Sequence, residues 1–226
     1  MDAAQKAGGV AAIALSGLFI TLLILLISVL PGQGFGPGAL SDPTVGIPFL
    51  DHSILPSVID FIYIGCAVVL VPLLLGLYQR FHSNHVVVMS LAFIAGAIAS
   101  SLFLAYGMIN FIGAPYIVST YQESATAGGM LYLTLRTTAN AMNAAALFAT
   151  GWAIVLSGWA IRQTRTTSPI LAYLMLVAGG ATLISFAFLP IGLLGILLAP
   201  FWSLWVGIAL LGKPSSITPA TVSTAS

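Results

Sequence analysis

The run from Gly8 to Leu30 contains no charged side chain, and neither does the run from Val86 to Phe111. At about 1.5 Å of rise per residue, about 20 apolar residues cross a hydrocarbon core about 30 Å thick. Six segments approach or exceed that length: about Gly8–Leu30, stopped by Pro31; about Ile54–Tyr78, with Pro72 inside; about Val86–Phe111; about Ala125–Ile161; Pro169–Leu189; and residues 193–211, entered through a turn at Pro190-Ile191-Gly192. Of the 226 residues only 5% are charged and 59% are hydrophobic. So few charges cannot coat a water-soluble globule of this size, and most of the surface must face lipid tails. The fold class expected is all-α: a polytopic membrane protein whose residues 1–212 form one six-helix bundle, with the Ser/Thr-rich stretch 213–226 as a disordered cytoplasmic tail.

Lys6 ahead of the first apolar run also fits a signal peptide, but the run is long and no Ala-x-Ala type site precedes Pro31. It is expected to stay as the first helix. Orientation follows from the cations, which are retained on the cytoplasmic side during insertion. Six crossings put Lys6, Arg80, Arg162, Arg165 and Lys213 on one face, and Asp42, Asp51 and Glu123 on the other with Asp60 near it. Both termini are therefore expected to be cytoplasmic. Between the first two spans, Gly32, Gly34, Gly36, Pro37, Gly38, Pro43 and Pro48 break helix and strand alike, which predicts an extended loop. Its apolar Phe35, Ile47, Phe49 and Leu50 would pack on the bundle mouth or dip into headgroups. Gly113 to about Ser124 reads as a second outer loop, with Tyr116 and Tyr121 at the interface.

Several classes of function are excluded or unsupported by the residues present. The cations are few and dispersed, so no nucleic-acid partner is expected. A single cysteine, Cys66, allows no intrachain disulfide and no Cys-rich cluster. His82 and His85 fall in one link and His52 on the opposite side, so no pair clasps a haem within the bilayer, and no lysine within a span offers a Schiff base. Nucleophile–base pairs, phosphate loops and paired carboxylates are missing. No cofactor or metal is expected; a bound lipid is allowed for.

Ionisable groups at membrane depth need pairing or water. Asp60, about 30 Å of helix from Arg80, and Arg136, about 39 Å from Arg162, both fall near the outer boundary. They read either as an ion pair closing an outward vestibule or holding a polar headgroup, or as two interface residues reaching for water. In the fourth span Arg136, Asn140, Asn143, Thr150 and Ser157 recur at spacings that place them on one helical face. That stripe should point inward, as a solute pocket or as hydrogen bonds between helices. Leu147 and Ile154 interrupt it, so a blind outer pocket fits better than a continuous water path. In the third span Ala92, Gly96, Ser100 and Gly107 form a small-residue face that lets a helix approach closely, within the chain or between two copies as a homodimer. Trp202 and Trp205 are too deep for the interfacial belt, and either fill a helix interface or stack on a quinone, pigment or lipid.

Three stretches carry a resemblance: Asp60 running to Leu77-Tyr78-Gln79-Arg80, the Gly151-Trp152 and Gly158-Trp159 steps, and the closing run from Trp202 to Leu211. Through them the chain resembles an uncharacterised bacterial family of six-helix membrane proteins known as a domain of unknown function. The resemblance spans most of residues 8–211 and implies a bacterial cytoplasmic membrane location, with nothing implied about mechanism. Lack of a catalytic constellation, with faces suited to close packing, favours a non-catalytic accessory or scaffolding subunit with membrane-protein partners. The alternative is a small-solute transporter or channel using the fourth-span stripe with Asp60 and Arg136.

Overall fold

The computed structural model describes residues 3–33, 41–83, 85–164, 168–185 and 189–212. Arg165, Lys213, Phe35 and the stretch 214–226 lie outside them. Among the described residues the chain is helical with no strand: α1 Ala3–Gly32, α2 Pro43–His52, α3 Leu55–Phe81, α4 Val86–Glu123, α5 Ala125–Thr164, α6 Pro169–Ile184 and α7 Leu189–Leu211. Helices α1, α3, α4, α5 and the Leu194–Leu211 part of α7 are long and apolar enough to cross a membrane. The protein is therefore a multi-pass α-helical membrane protein.

Three expectations need correcting. The fifth span does not run to Leu189: α6 has 16 residues, about 24 Å, and falls short of a bilayer core on its own. Pro190, Ile191 and Gly192 form the first turn of α7, where a proline lacks nothing it needs for the helix. The two outer loops are largely helical. Asp42 caps α2 by accepting from the Thr44 amide at 2.8 Å, and Pro43 follows at the first helical position. A cap and a pre-set backbone thus overrule the Gly/Pro density that suggested an extended loop. Gly113–Glu123 continues α4, with Pro115 inside it, until the chain breaks at the extended residue Ser124. At 38 and 40 residues, α4 and α5 each run nearly 60 Å and stand well clear of a core about 30 Å thick.

The long helices close into a ring. α1 packs on α3, α3 on α4, α4 on α5, α5 on α6, α6 on α7, and α7 returns to α1, with few contacts across the middle. Lys6, Arg80 and Arg162 gather at one end of the ring, where Gly8 meets Gly76 and the Arg80 guanidinium donates to the Ala209 carbonyl. That end is solid. Leu73, Leu77, Ile161, Leu171, Met175, Val206 and Leu210 are all at most 2% exposed there. The other end, carrying Asp60, is open inside.

Candidate functional site

Two cavities lie along the ring axis on the Asp60 side. The first, about 130 Å³, is walled by α1, α3, α4 and α5 and bounded by α2 through Gly46, Phe49 and Leu50. α2 is held over it by a small apolar cluster of Ile47, Ile117 and Tyr132. Gly46 is needed at this contact, because a Cβ there would collide with the Tyr132 ring. The expectation that Ile47, Phe49 and Leu50 pack on the bundle mouth is met, by a helix in place of a loop.

Asp60 and Arg136 both line this cavity, along with Tyr63, Tyr106, Asn110 and Tyr132. Asp60 is buried at 6% exposure and feels the Arg136 charge. Yet among the described residues the two form no direct ion pair, and neither makes a hydrogen bond. They face each other across space that water or a polar group must fill.

The second cavity, about 400 Å³, lies deeper and is central. Every ring helix contributes: Phe19 from α1, Cys66 from α3, Phe103 from α4, Asn143 from α5, Thr182 from α6 and Trp202 from α7. Tyr63 lines both cavities. Its ring stands edge-on to Tyr106 at 4.6 Å and lies 5.9 Å from Phe103, so a cluster of three aromatics divides the polar antechamber from the larger, mostly apolar chamber.

The sequence-derived stripe does point inward, but it is split by depth. Arg136 reaches the antechamber; Asn140, Asn143 and Thr150 reach the chamber; Ser157 sits below it, beside a gap of about 10 Å³. Across helices the stripe has one polar contact among the described residues, between the Asn143 side chain and Tyr63 of α3. The Thr150 hydroxyl donates to Ala146 in its own helix at 2.8 Å, and Asn143 Oδ1 and Ser157 Oγ are buried with no partner among the described residues. The Tyr63 hydroxyl is the cross-helix neighbour of the Asn143 side chain. Asn140 is exposed, so the chamber wall reaches the outside of the bundle there.

The small-residue face is spent inside the chain. Ala92, Gly96, Ser100 and Gly107 are buried; Gly96 admits Leu74, Gly107 admits Ile64, and Ser100 Oγ donates to the Ala67 carbonyl at 2.7 Å. Trp202 fills the interior at 2% exposure, whereas Trp205 is 37% exposed. Asp51 and His52 make an exposed pair at 3.7 Å on α2 and do not line either cavity. His82 stacks on Tyr78 at 4.3 Å and His85 lies 5.8 Å from Trp159, so neither histidine stands free of the bundle.

Tyr63, Tyr106, Tyr132 and Asn110 were not singled out from sequence. A signal existed for the first: Tyr63 lies three residues after Asp60 and shares its helical face. For Tyr106 and Tyr132 only the tertiary packing reveals the role.

The fold and its two chambers define a multi-pass helical membrane protein with a hollow core on one side. No family model, no curated protein and no solved structure matches the chain.

Proposed function

We propose that the protein binds a small solute in the central chamber and transports it, admitting it past Asp60 and Arg136. One observation carries this reading: six helices close a ring around a chamber of about 400 Å³ to which each of them contributes. Scaffolding needs no such space, since well-packed interiors seldom leave voids larger than a water molecule. A scaffolding role would also draw on the small-residue face of α4, which α3 already covers.

In this reading the chain crosses a bacterial cytoplasmic membrane six times with both termini in the cytoplasm. The gathering of Lys6, Arg80 and Arg162 at the closed end supports that orientation. The antechamber then faces outward, α2 lies over its mouth, and the closed end faces the cytoplasm. Transport requires the packing around Leu73, Leu77 and Met175 to open in turn, by rocking of helices about the bound solute.

The test is uptake of a small-metabolite extract by proteoliposomes, read by mass spectrometry against protein-free vesicles. At least one species accumulates with the wild type, and Asp60→Asn, Arg136→Leu and Asn143→Leu each lower that accumulation by about tenfold, the effect of losing one polar contact of about 1.4 kcal/mol. Accumulation equal in all four proteins sinks the reading.

A further inference from the structure

Trp202 carries a buried donor that the described residues leave unused. Its Nε1–H has no acceptor among the described residues, although the residue is 2% exposed and its ring forms part of the chamber wall. An indole nitrogen can only donate, so no rearrangement of its own proton removes the deficit. The Asn143 carbonyl oxygen, in the same wall, is buried and unpaired as well. Thr150 and Thr182, also in that wall, behave differently: each hydroxyl is satisfied one turn back in its own helix, by Ala146 and Ala178. Ser157 Oγ, also unpaired, lies below the chamber beside the small gap that Trp202 shares, so within the chamber wall the deficit among the described residues falls on Asn143 of α5 and Trp202 of α7, helices that flank α6. Buried polar groups in native proteins nearly always find a partner, and here the missing partner has a chamber to occupy.

The rest of the wall limits what that partner can be. Among the described residues no Asp, Glu, Lys or Arg lines the chamber, and Phe19, Leu22, Phe103, Leu147 and Ile196 give it a largely apolar surface. An ionised group there would lack a counter-charge. A pure hydrocarbon would leave the Trp202 donor as it is, and a carbonyl oxygen answers that donor alone, since Asn143 Oδ1 is itself an acceptor. The volume lies in the range of about 300–1,000 Å³ typical of small-molecule sites.

Building on the solute-binding reading above, we infer that the chamber takes a neutral, mostly apolar small molecule carrying a carbonyl-type oxygen that accepts the Trp202 indole N–H. Charged solutes are held least by the chamber, and hydrocarbons are held weakly.

Three probes of one chain length separate the possibilities: undecan-2-one, undecane and undecanoate. Each is titrated into protein carrying nitrogen-15 indoles in nanodiscs, with the Trp202 resonance identified by Trp202→Phe, or by eliminating the exposed Trp152, Trp159 and Trp205 should that variant not fold. The ketone binds saturably, about tenfold tighter than the alkane, as one added hydrogen bond of about 1.4 kcal/mol gives. It moves the Trp202 indole resonance, the carboxylate does not compete, and Trp202→Phe brings the ketone down to the affinity of the alkane. Undecanoate binding as tightly as the ketone, alkane matching ketone, or a ketone that binds with the Trp202 resonance unmoved overturns the assigned ligand class while leaving solute binding in place. No saturable binding by any probe removes both.

Discussion

Asp60 and Arg136 set the electrostatics of the antechamber because they are the charged residues that line it, with Tyr106 sensing both. Each is the only opposite charge the other meets in that cavity, so removing one leaves the other uncompensated in a water-poor site. Asp60→Asn and Arg136→Gln should each destabilise the protein in detergent, and the double variant should lose less than the two losses added. The coupling expected from thermal unfolding of all four proteins is about 0.5–3 kcal/mol; strict additivity would show that the two groups do not sense each other. Asp42 offers a pH-dependent test of a different residue. The Thr44 hydroxyl and amide bond its carboxylate and hold it below the usual carboxylate range. A lowered folded-state value means the cap stabilises α2 above the unfolded value of 3.8 and is lost as pH falls through the folded one. Amide protection factors at Val45 and Gly46, taken relative to the unstructured exchange rate at each pH, should therefore fall on strong acidification, and should already be low at neutral pH in Asp42→Ala; unchanged protection in that variant refutes the role. The sequence displayed Asp60 and Arg136 because charge in an apolar run stands out. It hid the tyrosines around them, since a tyrosine in a membrane helix looks the same whether it faces lipid, a headgroup or a cavity.

Each seam of the ring is set by a glycine at a close approach. Gly8 meets Gly76 between α1 and α3, Gly107 meets the Asp60 carbonyl between α3 and α4, and Gly128 meets Tyr121 between α4 and α5. Gly151 meets Gly179 between α5 and α6, Gly195 meets Thr182 between α6 and α7, and Gly207 meets the Gly9 carbonyl between α7 and α1. In lipid the hydrophobic effect does not drive helices together, so backbone proximity and van der Waals contact must hold the ring. A methyl group at Gly76 would sit 2.9 Å from the Gly8 Cα, a distance that forces the helices apart. Gly76→Ala should cost about 1–3 kcal/mol, whereas Gly17→Ala, with nothing within 4 Å, should be neutral or slightly stabilising. Equal unfolding midpoints for the two variants would remove glycine contact as the organising principle. The existence of the helices was legible because uncharged runs of this length have few alternatives. Their ends were legible unevenly: α5 runs Ala125–Thr164, close to the Ala125–Ile161 expected, whereas α4 passes Gly113, where a loop was expected, and continues to Glu123, with Ile117 packed against Ile47 of α2 and Tyr132. The reappearance of Gly76 and Gly158 four residues before Arg80 and Arg162 also takes on a packing reason, since each lies where a neighbouring helix crosses.

At the scale of the molecule, the division between a solid end and a hollow end follows from which residues the ring turns inward. Near Arg80 the inward positions are Leu, Ile, Met and Val, which fill the axis. Near Asp60 tyrosines, asparagines and threonines interrupt the leucines, isoleucines and phenylalanines along the axis, and space is left there. The sequence suggested this asymmetry through Leu147 and Ile154 below the asparagines, but the ring closure that turns a polar stripe into a chamber involves contacts between α1 and α7, nearly two hundred residues apart, and no local pattern encodes it. Access to the chamber should therefore be one-sided, and the chain carries its own probe. Cys66, the single cysteine, is buried in the chamber wall beyond the Tyr63 ring. A small charged methanethiosulfonate added outside intact cells should modify it slowly in the wild type, because Tyr63, Tyr106 and Phe103 stand between antechamber and chamber. Tyr63→Ala removes the shared wall and should speed modification about tenfold or more, equivalent to lowering an access barrier by about 1.4 kcal/mol. In the proposed orientation the same reagent applied to inside-out vesicles meets the packed end and should react no faster in the variant than in the wild type. Acceleration from that side alone would reverse the orientation drawn from Lys6, Arg80 and Arg162; acceleration from both sides would mean that the floor of leucines does not seal; and no acceleration from either side would show that Tyr63 is not the barrier.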